Sequence, residues 1–202
     1  CHEGAELTGA SVRQVRASPT RIRDGQAMDR GFNNIGVSET LQDLSLGAKD
    51  DLGNWLSTVK RLTPSPPEPI VVDGAFKVPG LRNIELTAPY FHNGGQVDLP
   101  AVIEFYDRAG DAHEGMVTLD GTQIELMSII GFTPEEKAAM LAFLLSLTDE
   151  RVRFQQAPFD HPQLFIPNGP GLPRAIMPGE QLMEIQAVGR FGGAPQNKFL
   201  EP

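Results

Sequence analysis

The feature that most constrains this chain is the segment 76–95, which reads FKVPGLRNIELTAPYFHNGG. Pro79 and Pro89 fix the backbone angle φ, whereas Gly80 and the pair Gly94-Gly95 permit conformations that are closed to other residues. Because the segment follows neither a helical nor a strand period, these prolines and glycines predict a loop of defined shape. Loops that hold aromatic, His and Arg side chains in fixed directions commonly build functional sites.

A helix is predicted directly after this loop, from Asp98 to Gly110. Asp98 is a favourable N-cap, proline is tolerated in the first turn, and Gly110 is suited to end the helix. Apolar residues recur at helical spacing between Val102 and Tyr106, which directs Tyr106 inward. A buried phenol needs a partner for its oxygen.

The second predicted helix begins at Thr133-Pro-Glu-Glu136. These four residues form a capping box with proline at the first helical position, and an Ala, Met and Leu-rich run follows to about Leu147. Leu141, Leu144 and Leu145 are expected in the core.

Composition restricts the class of protein. With 202 residues, 40% hydrophobic and 21% charged, the chain is long and apolar enough to bury a core. The 17 prolines and 21 glycines predict long irregular segments. A net charge of −9 argues against a nucleic-acid partner, which requires a basic face. No apolar run approaches the roughly 20 residues of a membrane span.

The chain is expected to form one domain with a tail. Residues 1–150 constitute the predicted domain, and residues 151–202 are predicted to be an extended Pro/Gly-rich tail that packs on it. Large apolar residues are expected to anchor the tail: Phe154, Phe159, Leu164 and Phe165.

The single cysteine excludes an internal disulfide and a zinc site built from paired cysteines. A lone cysteine is usually a small buried hydrophobe, but Cys1 has little chain around it to bury it. Its neighbour His2 suggests a haem thioether beside an imidazole that reaches the iron. Taken alone, the two letters are a weak signal.

Three parts of the sequence together resemble the carboxy-terminal haem domain of the bacterial di-haem cytochrome c peroxidase and MauG family. They are the segment 76–95, the wording LPAVIEFYDRAGD at 99–111, and Cys1-His2, which matches the end of a Cys-x-x-Cys-His motif whose first Cys is expected upstream. The resemblance runs from Cys1 to about Leu147. It implies a mainly α, cytochrome c-like haem domain with long irregular loops.

The resemblance also implies residue roles around a covalent haem c. Cys1 would form the thioether and His2 the proximal iron ligand. Tyr106 stands where related peroxidases carry a Met ligand, as in MauG-like members, so it is the expected distal ligand and a catalytic residue. A phenolate stabilises ferric and higher-valent iron. The alternatives are a core tyrosine bonded to backbone, and Met116 or Met127 as the ligand.

Other residues have weaker expected roles. Arg82 is the expected partner of a haem propionate, with a surface arginine as the alternative. His92 is expected near the haem edge or propionates, with a catalytic role, and the alternative is a hydrogen-bonding scaffold residue. The backbone carbonyls of Thr87 and Pro89 match family positions that bind a calcium ion between two haem domains.

By this resemblance, the protein is a periplasmic oxidoreductase that takes oxidising equivalents from hydrogen peroxide. Its electrons would come from a small redox protein or a protein substrate, and its partner would be an amino-terminal haem domain with a second haem c. Two other functions stay open: a non-catalytic electron-transfer cytochrome c domain and a di-haem oxygenase.

Overall fold

The computed structural model describes residues 1–23, 25–62, 70–111, 130–170 and 180–196. The chain divides into two compact units, Cys1–Leu147 and Thr148–Pro202. Within the described ranges, no helix is both long enough and apolar enough to cross a membrane.

The first unit contains four short strands, four α-helices and one 3-10 turn among its described residues. In chain order they are α1 (Val12–Ala17), β1 (Thr20–Arg23), β2 (Gln26–Asp29), β3 (Phe32–Asn33), α2 (Thr58–Leu62), β4 (Phe76–Lys77), the 3-10 turn Ile84–Leu86, α3 (Leu99–Asp107) and α4 (Pro134–Ser146). Strand β1 pairs with β2 and β3 with β4, both antiparallel.

The second unit contains one short helix and a two-stranded antiparallel sheet in its described part. They are α5 (Glu150–Arg153), β5 (Leu164–Pro170) and β6 (Glu180–Ile185). The predicted packing of residues 151–202 on the first domain stays a prediction.

The prediction of a mainly α fold is wrong. Of the described residues, only 25% are helical and 18% are strand in small antiparallel sheets. The β1–β2 hairpin forms because Gly25 adopts φ +79°, which suits a tight turn, and because Ala27 and Met28 on β2 are buried. Its sequence is too polar and too short for the strand pattern to stand out.

The two long helices begin where their capping residues predict. The Asp98 carboxylate accepts a hydrogen bond of 2.8 Å from the Ala101 amide at the start of α3. At α4, the Thr133 hydroxyl accepts from the Glu136 amide at 3.2 Å, and the Glu136 carboxylate accepts from the Thr133 amide at 2.9 Å. The predicted capping box is therefore confirmed.

An apolar core joins these helices to the loop before α3. Its buried members are Tyr90, Leu99, Val102, Ile103 and Leu144. The core fixes the position of α3, which carries Tyr106.

Gly31 marks a close contact between the amino-terminal segment and the turn that connects β2 to β3. Its φ is +77°, and a Cβ atom added there would collide with the backbone of Ala10. Gly53 is a matched comparison, because its φ is +82° and no atom lies within 4 Å of the same position. Only the first glycine is required by packing as well as by conformation.

We therefore expect Gly31→Ala to destabilise the protein more than Gly53→Ala. The left-handed conformation costs an alanine about 1 kcal/mol at either site, and overpacking against Ala10 adds about 2 kcal/mol at Gly31. Chemical denaturation of both variants measures the difference. Equal losses would show that the Ala10 contact relaxes without cost.

Candidate functional site

The amino-terminal loop holds the His2 imidazole with one nitrogen already bonded. Its Nδ1 lies 3.1 Å from the Leu7 carbonyl oxygen, and since a carbonyl only accepts, Nδ1 carries the proton. Desolvation by surrounding protein lowers the pKa of His2, although the Leu7 and Pro79 carbonyls oppose this shift. A neutral imidazole protonated on Nδ1 offers its Nε2 lone pair, which is the form that binds a metal.

Hydrogen bonds fold this loop and attach it to the segment 76–95. The Cys1 carbonyl accepts from the Gly9 amide at 2.6 Å, which closes the loop. The buried Thr8 hydroxyl then donates to the Val78 carbonyl at 2.6 Å. The exposed thiol of Cys1 and the imidazole of His2 therefore lie on a loop that is fixed by the site-building segment.

Arg82 gives a second connection between the same two parts of the chain. Its Nη2 donates to the Ala5 carbonyl at 2.9 Å, while the side chain stays exposed. A guanidinium has five N–H donors, so this one bond leaves donors for a carboxylate group. The position fits the predicted propionate contact, which stays a prediction.

Tyr106 lies on α3 with its ring packed between aromatic neighbours. The ring centroid is 5.3 Å from that of Phe105 and 6.3 Å from that of Phe91, both in edge-on arrangements. Burial raises the pKa of the phenol. The phenolic oxygen has no hydrogen-bond partner within the described residues, in contrast to the partner expected for a buried phenol. Among the described residues, contacts therefore fix the ring of Tyr106 and none of them is a hydrogen bond to its oxygen.

The other tyrosine shows the opposite pattern. The Tyr90 hydroxyl donates to the Ile84 carbonyl at 2.9 Å, which ties the loop before α3 to the 3-10 turn. Tyr90 is therefore the core tyrosine bonded to backbone, the role that was the alternative for Tyr106.

His92 stacks on the ring of Phe76. The two ring centroids are 3.5 Å apart and the planes differ by 5°. The His92 ring has a second contact, because its Nε2 lies 3.8 Å from Asp43 Oδ2. Desolvation lowers the pKa of His92, and the Asp43 charge opposes this shift only in part.

Sequence reasoning missed three residues that fix this part of the site. Phe76 and Asp43 hold the His92 ring from distant parts of the chain, and Phe91, with φ +64°, turns its ring toward Tyr106 and Phe105. No local pattern reveals Asp43, but the aromatic residues at both ends of the segment 76–95 were visible signals.

Thr87 and Pro89 are the two residues whose backbone carbonyls are predicted to bind calcium. The carbonyls of Thr87 and Pro89 accept no hydrogen bond within the described residues, so their oxygens are available. The described part of the chain also contains no cluster of three or more His, Cys, Asp or Glu residues suited to a metal ion.

Met116 and Met127, the rival iron ligands, lie outside the described residues.

These contacts bring most of the predicted site residues into one unit. The Cys1–His2 loop contacts the segment 76–95 at Val78 and Arg82, and the same segment carries His92 and approaches Tyr106 through Phe91. One unit therefore carries the thiol of Cys1, the imidazole of His2 and the phenol of Tyr106.

Comparison with known proteins identifies relatives of this kind. No family model matches the chain. A cytochrome c peroxidase of Pseudomonas sp. (strain SCT) is 37% identical over 76 residues, which are 37% of this chain and 18% of the relative. The methylamine utilization protein MauG of Paracoccus denitrificans is 32% identical over 136 residues, which are 59% of this chain and 34% of the relative.

Two further similarities were found. The cytochrome c551 peroxidase of Nitrosomonas europaea is 36% identical over 80 residues, covering 40% of this chain and 19% of that protein. A solved MauG-like protein associated with microbial copper homeostasis shares 30% identity with a TM-score of 0.48, covering 79% of this chain and 41% of that one.

The chain is thus a relative of proteins that carry a c-type cytochrome or peroxidase name. More specifically, it is similar to cytochrome c peroxidases and to MauG, and the predicted resemblance is confirmed. The chain spans only 34% of the MauG relative and 18% of the Pseudomonas peroxidase.

The geometry around His92 gives a prediction about pH. We expect Asp43→Asn to lower the pKa of His92 further, because the opposing negative charge is removed while desolvation stays. In the wild type, the folded pKa already lies below the usual 6.5. The unfolded state therefore binds more protons below that value, and the free energy of unfolding falls as the pH falls through 6.5. In Asp43→Asn, the free energy of unfolding should fall more steeply with falling pH than in the wild type.

Titration of the His92 ring protons by NMR measures this shift directly. Asp51→Asn is the control, since it removes the same charge from an exposed position in the following loop. An unchanged pKa in Asp43→Asn would show that the carboxylate at 3.8 Å is fully screened by solvent.

Proposed function

We propose that this chain is the carboxy-terminal haem domain of a periplasmic di-haem c oxidoreductase of the peroxidase and MauG kind. Its oxidant would be hydrogen peroxide, and its electrons would come from a small redox protein or a protein substrate. A second haem c would belong to an amino-terminal haem domain. The observation that carries the proposal is the exposed Cys1 thiol beside the His2 imidazole with its Nδ1 bonded to Leu7.

The residues of the loop fit haem attachment. Cys1 would hold the porphyrin edge through a thioether, and Nε2 of His2 would bind the iron. The Nδ1 bond to the Leu7 carbonyl prevents ring rotation and raises the basicity of Nε2. When bound, haem supplies the one-electron and peroxide chemistry, while the protein selects its ligands and controls access.

Tyr106 would be a second protein ligand of the haem iron. Its ring is fixed by Phe91 and Phe105, so its oxygen reaches one place with little loss of side-chain freedom. A metal ion lowers the pKa of a coordinated phenol, which reverses the effect of burial. An anionic oxygen ligand favours ferric iron over ferrous iron.

The remaining site residues would act around the cofactor. Arg82 would pair with a propionate, and His92 would lie near the haem edge with its ring orientation set by Phe76. The carbonyls of Thr87 and Pro89 would contribute to a calcium site shared with the amino-terminal domain, which would supply the carboxylate ligands.

Haem attachment is tested by mass spectrometry of the protein produced in a host that matures c-type cytochromes. We expect a haem adduct on the peptide that contains Cys1. Absence of the adduct would contradict the whole proposal. A ferric spectrum that is low-spin and unaltered by peroxide or cyanide would instead favour an electron-transfer cytochrome.

The role of Tyr106 is tested by comparing Tyr106→Phe with Tyr90→Phe. Because the Tyr106 hydroxyl has no hydrogen-bond partner within the described residues, its removal should change the free energy of unfolding by less than about 0.5 kcal/mol. The same change should alter the ferric spectrum and abolish peroxide-dependent oxidation of the donor.

Tyr90→Phe should give the reverse result. Loss of its hydrogen bond to Ile84 should cost about 1 kcal/mol of stability while the ferric spectrum is retained. If Tyr106→Phe keeps the wild-type ferric spectrum and peroxide reactivity, Tyr106 is not a ligand.

A further inference from the structure

The end of α3 is held by bonds to the segment that leads into α4. The Asp107 carboxylate accepts from the Phe132 amide at 2.7 Å through Oδ1, and the Asp107 carbonyl accepts from the Ile130 amide at 3.2 Å. The Asp107 side chain is only 15% exposed. The residue directly after Tyr106 is therefore bonded through both its backbone and its side chain.

Lys137 on α4 adds a charged connection to the same helix end. Its ammonium group lies 2.8 Å from Asp107 Oδ2 and 2.8 Å from Glu104 Oε1. Glu104 and Asp107 are three residues apart and lie on one edge of α3. Lys137 thus binds a residue that precedes Tyr106 in the sequence and a residue that follows it, both in the last turn of α3.

Phe105 fixes the helix on its other side. Its side chain is fully buried and contacts the rings of both Phe91 and Tyr106. The last turn of α3 is consequently clamped between a packed ring and an ion cluster. A rotation or shift of this turn would move the Tyr106 oxygen directly, because the phenol is a long and rigid side chain.

We propose that Lys137 is a positioning residue for the Tyr106 phenol. By binding Glu104 and Asp107 together, it holds the last turn of α3 in the orientation that presents the oxygen at one place. This inference rests on the proposed role of Tyr106 as an iron ligand. It goes beyond that role because it states that Lys137, a side chain on α4, sets the position of Tyr106 on α3.

The position of the ring can be measured without the cofactor. The chain has two tyrosines, so protein that contains fluorotyrosine gives two ¹⁹F signals, and Tyr90→Phe assigns them. In Lys137→Met we expect the Tyr106 signal to broaden or split while the Tyr90 signal is retained. In the haem-loaded protein, the ferric spectrum should become a mixture of two forms.

Two further variants serve as controls. Lys137→Arg keeps the charge and should restore a single Tyr106 signal and the wild-type ferric spectrum. Arg151→Met removes an exposed cation whose partner Asp149 lies on neither α3 nor α4. It should leave both readouts unchanged.

The proposal is overturned if Lys137→Met retains one unshifted Tyr106 signal and the wild-type ferric spectrum while only its melting temperature falls. If Lys137→Met does not fold, Glu104→Gln removes the more exposed half of the cluster, and a Tyr106 signal unchanged in that variant also overturns it. An unaltered ferric spectrum in Tyr106→Phe would contradict the ligand role alone, since the ¹⁹F signals would still show whether Lys137 fixes the ring.

Discussion

The buried hydrogen bond from the Thr8 hydroxyl to the Val78 carbonyl is the interaction on which the candidate site depends. It joins the loop that carries Cys1 and His2 to a segment 70 residues further along the chain. The Val78 amide in turn donates to the Gly31 carbonyl at 2.8 Å, so one residue connects the loop and the β2–β3 turn. This junction attaches the loop that carries the thiol and the imidazole to the segment 76–95.

The opposite part of the site depends on packing rather than on backbone bonds. Tyr106 is placed by the apolar face of α3, by the rings of Phe91 and Phe105, and by the ion cluster around Lys137. The two proposed ligands thus come from different elements of the first unit. If both residues bind the iron as proposed, His2 would be fixed by haem attachment and Tyr106 would be positioned by the geometry of α3.

Local sequence patterns predicted local structure well. The caps at Asp98 and Thr133 fixed where α3 and α4 begin, because each depends on a hydrogen bond within three residues. The β1–β2 hairpin was missed because its short polar strands give no strong alternation. The β3–β4 pair was missed because it joins distant parts of the chain. The stack of His92 on Phe76 and its approach to Asp43 are likewise non-local. The identities of the ligand candidates came from the family resemblance, and the available oxygen of Tyr106 became visible only in the structure.

Resonance Raman spectroscopy of the ferric, haem-loaded protein that contains ring-deuterated tyrosine tests the central claim most directly. If Tyr106 coordinates the iron as a phenolate, excitation into its charge-transfer band should enhance phenolate ring modes that shift on deuteration. These modes should persist in Tyr90→Phe and disappear in Tyr106→Phe. A spectrum without any tyrosine-sensitive mode would contradict the account, because it would show that the available oxygen on α3 does not bind the iron.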